Sequence, residues 1–255
     1  MAPPQPGPPA LSAATKTEPA PSAPEAASPD TTRHRAIRSF VVRAGRMTVA
    51  QERAWREVWP VLGVENGETA LDFDALFGRR APVTLEIGFG NGETLVALAA
   101  ANPDRNHFGL EVHPPGVGHL LLRCEAERLS NVRVICDDAV QVLQRRVPDA
   151  SLDELLLYFP DPWPKKRHHK RRIVQPAFVE LVARKLKPGG VLRMATDWQP
   201  YAEHMLATAS ACPALRNVSA TGDFVERAAS RPVTRFEKRG QRLGHGVWDL
   251  AFRRG

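Results

Sequence analysis

The stretch Pro82-Val-Thr-Leu-Glu-Ile-Gly-Phe-Gly-Asn-Gly-Glu-Thr-Leu-Val-Ala-Leu-Ala-Ala-Ala101 changes character twice within twenty residues. Its first part, Pro82 to Ile87, is a short apolar run bounded by proline and glycine, which reads as a buried strand. Gly88, Gly90 and Gly92 then alternate through a tight turn, and Glu93 to Ala101 is built from good helix formers. Strand, glycine turn and helix in this order let the backbone approach a ligand closely and present amides at a helix amino end. The spacing Gly-x-Gly-x-Gly departs from the dinucleotide pattern Gly-x-Gly-x-x-Gly, which argues against NAD or FAD.

Downstream the alternation continues. His107 to Val112 reads as a second strand carrying Glu111, nineteen residues beyond Gly92, where a carboxylate can take both hydroxyls of a ribose. Asn131 to Cys136 reads as a third, closing on Asp137 and Asp138, and one of those acids can accept from an adenine amino group. A helix over 139–146, a strand over 152–159, a helix over 175–186 and a strand over 191–196 ending in Asp197 follow, with a last strand around Trp248. Strands alternating with helices predict an α/β fold with a doubly wound, mostly parallel sheet. Acids and glycines close strand after strand on the edge where such sheets bind ligands.

The fourth strand runs into Pro160-Asp-Pro-Trp-Pro164, whose three prolines remove backbone donors and stiffen the loop around Asp161. Every residue from Lys165 to Arg172 is Lys, Arg or His, with no acid between them. Taken alone, such a run is as readily a solvated face or a targeting signal as a binding surface. Fused to a rigid acidic loop, it holds charge beside a pocket, as a phosphate-bearing substrate requires. His168 and His169 are poor metal ligands, since neighbouring side chains diverge and no Cys or carboxylate set accompanies them. Other residues also admit plain structural readings. Glu86 can hydrogen-bond loop amides from its strand, Asp197 can cap a helix near Tyr201, and Trp248 is most simply core.

Composition sets the frame. The chain has 255 residues, enough for one core domain with appendages, and a net charge of +7 that favours an anionic partner, nucleic acid first. Cys124, Cys136 and Cys212 suggest neither a disulfide framework nor a zinc site and fit a reducing cytoplasm. No membrane span or secretory signal is expected. Residues 1–32 form a Pro/Ala-rich tail expected to be disordered. Residues 33–80 read as a basic arm from Arg33 to Arg46, a helix capped by Thr48 and ended by Pro60, and a linker with a helical turn at 72–77. Residues 81–255 form the main domain.

A glycine turn, a ribose acid, an adenine acid and a proline-rich acidic loop in this order resemble the Rossmann-like class I S-adenosylmethionine-dependent methyltransferases. The segments 85–92, 109–113, 158–165, 168–172, 195–198, 201–204 and 231–237 look like the motifs of one of them, the bacterial tRNA (guanine-N7)-methyltransferases, from about Arg33 to Phe252. The resemblance implies a seven-stranded sheet, S-adenosyl-L-methionine as cofactor, and tRNA as substrate, methylated at N7 of the variable-loop guanosine (position 46). It implies a cofactor site at Glu86, Gly88, Gly90, Gly92, Glu111, Asp138 and Asp161, with Asp161 also catalytic. It implies substrate contacts at Lys165, Asp197, Thr234, Arg235, Phe236 and Glu237, and an RNA-contacting segment Arg167, His168, His169, Lys170, Arg171 and Arg172. A monomer with no obligatory protein partner is expected. His169 stands where the family pattern has a small polar residue, and the tail before Arg33 matches nothing in it. The rival readings are a class I methyltransferase acting on another nucleobase and a non-catalytic RNA-binding protein.

Overall fold

β1, Val83–Ile87, lies in the middle of a sheet, and all five of its residues are buried, Val83, Leu85 and Ile87 on one face and Thr84 and Glu86 on the other. It pairs in parallel with β2, Asn106–Leu110, on one side and with β4, Leu152–Tyr158, on the other. β3, Val132–Ile135, extends the sheet beyond β2, and β5, Leu186–Thr196, extends it beyond β4. β7, Trp248–Arg254, then runs antiparallel between β5 and β6, Leu215–Asn217, so the seven strands lie in the order β3-β2-β1-β4-β5-β7-β6. The chain reverses its direction of travel across the sheet between β1 and β4, which opens a crevice at their carboxyl ends. These facts come from a computed structural model, which describes residues 39–40, 45–229, 231–233, 237 and 246–255. The expected tail, most of the basic arm, and Thr234, Arg235 and Phe236 lie outside the described residues.

Helices cover both faces. α4, Glu93–Ala101, and α5, Pro114–Ala126, bury Leu95, Val96, Val117 and Leu120 in one apolar cluster, which also takes in Ala54 of α1, Val49–Glu57. α6, Ala139–Arg145, α7, Pro176–Lys185, and α8, Gln199–Ser210, build the other, with Leu143, Phe178 and Met205. Val83, Leu85 and Ile87 belong to this second cluster, so the strand's alternation turns Thr84 and Glu86 towards the α4 and α5 side.

Three local expectations change. Thr48 and Gln51 do form the capping box of α1, but the helix ends at Glu57, and Pro60 lies in the first turn of a second helix, α2, Trp59–Leu62. Proline's fixed φ and missing donor suit that position, so Pro60 begins a helix and does not stop one. The segment read as a linker is packed. Val64 N donates to Val134 O, the Arg146 guanidinium donates to the carbonyls of Glu65 and Thr69, and Leu71 and Phe73 are buried, Phe73 opening the short helix α3, Phe73–Phe77. Helix α5 had no counterpart in the sequence reading, because Pro114, Pro115, Gly116 and Gly118 look like a loop. A Cβ on Gly116 would sit 2.4 Å from Gly90 O, so glycine there is what lets the helix start pack against the glycine turn. No helix among the described residues is long and apolar enough to cross a membrane.

Candidate active site

A cavity of about 680 Å³ opens at the carboxyl edge of β1 to β4, lined among others by Gly88, Glu111, Asp137, Asp138, Tyr158 and Asp161. Its two sides are built differently.

On the first side, backbone amides meet carboxylates. Gly88, Gly90 and Gly92 all have left-handed backbone (φ 69°, 57° and 76°), which L side chains rarely adopt. The turn is pinned by Glu111, just past β2: its Oε2 accepts from Gly90 N at 2.8 Å, and its Oε1 accepts from Val112 N and His113 N at 2.7 and 3.1 Å. A carboxylate has about four acceptor positions, so Glu111 keeps roughly one for a ligand hydroxyl. Asp138 caps α6, its Oδ1 accepting from Val140 N at 2.9 Å, while Asp137 Oδ1 accepts from Asp138 N at 2.7 Å. Each of these two acids keeps its other oxygen for an amino donor.

Glu86 precedes the cavity-lining Ile87 and Gly88 and is 3% exposed. Its Oε2 has no hydrogen-bond partner among the described residues, so it does not spend both oxygens on loop amides. Burial, and then the nearby Glu111 carboxylate, push its pKa up to about 8. An orphaned buried oxygen of this kind is costly unless a ligand donor reaches it.

On the second side, a strained loop is held by cations and rings. Phe159 and Trp163, both followed by proline, have positive φ (51° and 44°), a conformation that costs bulky residues of order 1–3 kcal/mol each. They bracket Pro160-Asp161-Pro162. Phe159 N donates to Ala195 O at 2.8 Å, prolonging the β4–β5 pairing, and Trp163 Nε1 donates to Ser39 O at 3.1 Å. The Arg171 guanidinium lies 4.1 Å from the centre of the Trp163 ring, and His168 meets that ring edge-on at 5.8 Å. Asp161 itself is exposed.

The basic run forms a short 3-10 helix, Lys166–Arg171. Lys165, Lys166, Arg167 and Lys170 are exposed, whereas His168, His169 and Arg171 are half-buried. Partial desolvation, then the surrounding Arg167, Arg171, Lys165 and Lys170, hold the His168 imidazole below its ordinary pKa. Arg172 departs from the sequence expectation. It is 4% exposed, donates from Nε to Pro162 O at 2.9 Å, and lies 4.8 Å over the Tyr201 ring. Its Nη2 is 3.2 Å from His169 Nε2, which also lies 3.4 Å from Pro164 O; a guanidinium has only donors, so the imidazole accepts from it in the tautomer with the proton on Nδ1 and bonds the carbonyl in the other.

Glu237 departs in the same way. It is 3% exposed and accepts from Arg231 Nη1 at 2.6 Å, while Arg231 gives Nε and Nη2 to the two oxygens of Asp249 at 2.7 and 2.9 Å. This guanidinium is 5.7 Å from the centres of both the Tyr158 and Phe159 rings, so it ties the C-terminal strand to the start of the Asp161 loop. Asp197 follows β5 directly and is half-buried; the N-cap of α8 is Trp198, with no side-chain cap bond among the described residues, so Asp197 does not cap that helix.

Residues 80–250 match the family model described as "Putative methyltransferase". The chain is 60% identical over 218 residues to the tRNA (guanine-N(7)-)-methyltransferase of Sodalis glossinidius, covering 86% of this chain and 91% of that one. It is 61% identical over 220 residues to the enzyme of that name from Pseudomonas paraeruginosa, covering 86% and 90%. The chain belongs to the tRNA (guanine-N7)-methyltransferase family. The 16S rRNA methyltransferase KamB shares the fold, with a TM-score of 0.51 at 18% identity over 76% of this chain and 98% of that one.

Within this family frame, Gly88, Glu111, Asp138 and Asp161 line one cavity, Glu86 directly precedes its lining residue Ile87, and Lys165 to Arg171 follow its lining residue Pro164 in the chain. Sequence reasoning missed Arg231 and Asp249 as a pair, and Tyr201 as the platform under Arg172. The signal for the pair was faint: an arginine just before the 234–237 motif and an acid inside an otherwise apolar final strand. Among the described residues no group of three His, Cys, Asp or Glu is placed to hold a metal ion.

Proposed function

We propose that this chain transfers a methyl group from S-adenosylmethionine to N7 of guanine in tRNA, at the variable-loop guanosine (position 46). The observation that carries it is the placement of Asp161, where a cavity of nucleoside-cofactor size meets an exposed basic rim. Relatives at about 60% identity that are named for this activity support the same substrate.

The donor set fits such a cofactor. Glu111 has an acceptor left for ribose, Asp137 and Asp138 for an adenine amino group, and the orphaned Glu86 Oε2 for a cationic amine. When bound, S-adenosylmethionine supplies an electrophilic methyl group on a sulfonium. Guanine N7 offers a lone pair and carries no proton, so the protein needs no base at the nucleophile, and holding the purine in line is its main contribution. As N7 is alkylated the purine gains positive charge, and a fixed carboxylate beside it favours that state over the ground state. Asp161 is that carboxylate. It is also acceptor-only, which suits the N1 and N2 donors of guanine and rejects adenine. Because Asp161 is exposed in the free chain, docking of tRNA has to cover it before its charge acts at low dielectric. Lys165, Arg167, Lys170 and Arg171 supply phosphate contacts.

Incubation with unmodified bulk tRNA and labelled S-adenosylmethionine, followed by nucleoside mass spectrometry and nuclease mapping, tests the reading. The expected product is 7-methylguanosine in the variable loop. Methyl on another nucleoside would move the protein to the rival enzyme class, and cofactor-free RNA binding alone would leave an RNA-binding protein.

A further inference from the structure

We propose that Arg172, the last residue of the basic run, is a positioning residue for Asp161 and not an RNA ligand. This rests on the reading of Asp161 as the carboxylate beside guanine. The argument is geometric. Arg172 is 4% exposed, so a phosphate cannot reach its guanidinium without dismantling the loop. Its donors are directed inward: Nε to the carbonyl of Pro162, the residue after Asp161, and Nη2 to His169 Nε2. Its flat face lies over Tyr201, which is fully buried and whose hydroxyl accepts from Val174 N at 3.4 Å at the start of the next segment. The Pro162 carbonyl sits between the two left-handed residues Phe159 and Trp163, where the backbone has the least intrinsic reason to stay as it is. A buried cation over an aromatic face, bonded to that carbonyl, offsets the strain and fixes where Asp161 stands. The run therefore divides by role: Lys165 to Arg171 on the rim facing the substrate, and Arg172 beneath the loop.

Lysine separates the two roles. It keeps the positive charge that a phosphate contact needs, but it has no planar fork to bond sideways while lying flat on a ring. In Arg172→Lys, turnover at saturating tRNA should fall about ten- to a hundredfold, the loss expected when a reacting group is misplaced by about 1 Å. The KM for tRNA and the salt dependence of tRNA binding should stay at wild-type values. Hydrogen exchange, followed by mass spectrometry, should speed up at the Asp161 and Trp163 amides. Arg172→Met keeps the apolar stem and serves if the lysine variant melts without cooperativity. It should lose turnover while keeping the salt slope. Wild-type turnover and wild-type exchange in Arg172→Lys would overturn the proposal. So would a salt slope lowered by about one unit in Arg172→Met with turnover kept, the behaviour of a phosphate ligand. If the wild-type protein methylates no tRNA, the functional reading fails, and the exchange measurement still decides whether Arg172 holds the loop.

Discussion

On the β1 to β3 side of the cavity, carboxylates are tied to backbone amides: Glu111 takes three, and Asp137 and Asp138 take one each. On the β4 to β7 side, guanidinium groups are tied to a carbonyl, to aromatic rings and to buried acids: Arg172 beneath Pro162, Arg231 between Glu237 and Asp249. The first arrangement leaves spare acceptors facing the crevice, which suits the hydroxyl and amine donors of a nucleoside cofactor. On the second side neither Arg172 nor Arg231 lines the crevice; both are consumed in holding a strained loop whose single acid, Asp161, is exposed and lines it. One side keeps acceptors open at the crevice, and the other uses its charges to hold geometry.

If that contrast is right, the largest effect on stability comes from the second side. Arg231→Leu leaves Asp249 buried without its paired guanidinium and takes from Glu237 one of its cations, Arg227 remaining at 4.0 Å, and breaking a buried pair in this way costs about 3–5 kcal/mol. Chemical denaturation should show the loss directly. A cost below about 1 kcal/mol, typical of exposed pairs, would place the cluster in solvent and dissolve the contrast.

Asp161→Asn probes the same loop. The variant is nearly isosteric, so tRNA binding, dominated by phosphates, should change little, while single-turnover methyl transfer at saturating cofactor and tRNA should slow markedly. A charge interaction worth about 1.5–4 kcal/mol corresponds to a loss of roughly ten- to a thousandfold in rate. Asparagine also presents donors where guanine offers donors. Transfer at near the wild-type rate with both ligands bound would reduce Asp161 to a loop anchor.

The two sides also differed in how legible they were in the sequence. The first is local: each acid follows a strand end by one to three residues, and the glycine spacing records positive φ directly, so Glu111, Asp138 and the turn are visible in order along the chain. The second is not. Nothing in Lys165 to Arg172 distinguishes the one guanidinium that turns inward, because its reason is Tyr201, 29 residues on, and a carbonyl ten residues back. Arg231 meets Asp249 across 18 residues, and no periodicity announces it. Helix α5 was hidden by prolines and glycines that local propensity assigns to a loop and that packing against Gly90 overrides.

Glu111→Ala tests the first side. It removes the proposed ribose acceptor and also orphans the Gly90, Val112 and His113 amides, so cofactor affinity should fall by about 1.5–3 kcal/mol. Calorimetry on the folded variant gives the number. Unchanged affinity would mean that Glu111 serves only the turn and that the ligand's hydroxyls are met elsewhere.

The smallest effect is expected at Glu86, and its sign is diagnostic. With a native pKa near 8 against an ordinary 4.5, the folded protein holds a proton between those values that the unfolded chain has released. Stability must then fall as pH rises through that window and level off above it. Glu86→Gln is neutral at every pH and keeps the shape, so it lacks this slope. Buried sites respond as if at an effective dielectric of about 20, so the expected gain at pH 8 is about 1 kcal/mol, or about 2–4 °C in melting temperature for a chain of this size. Near pH 5 the two proteins should melt together. Melting curves taken without cofactor from pH 5 to 9 are the measurement. If the wild-type and Gln profiles stay parallel throughout, Glu86 is already ionised and partnered, and the crevice side would contain no acid waiting for a ligand's positive charge.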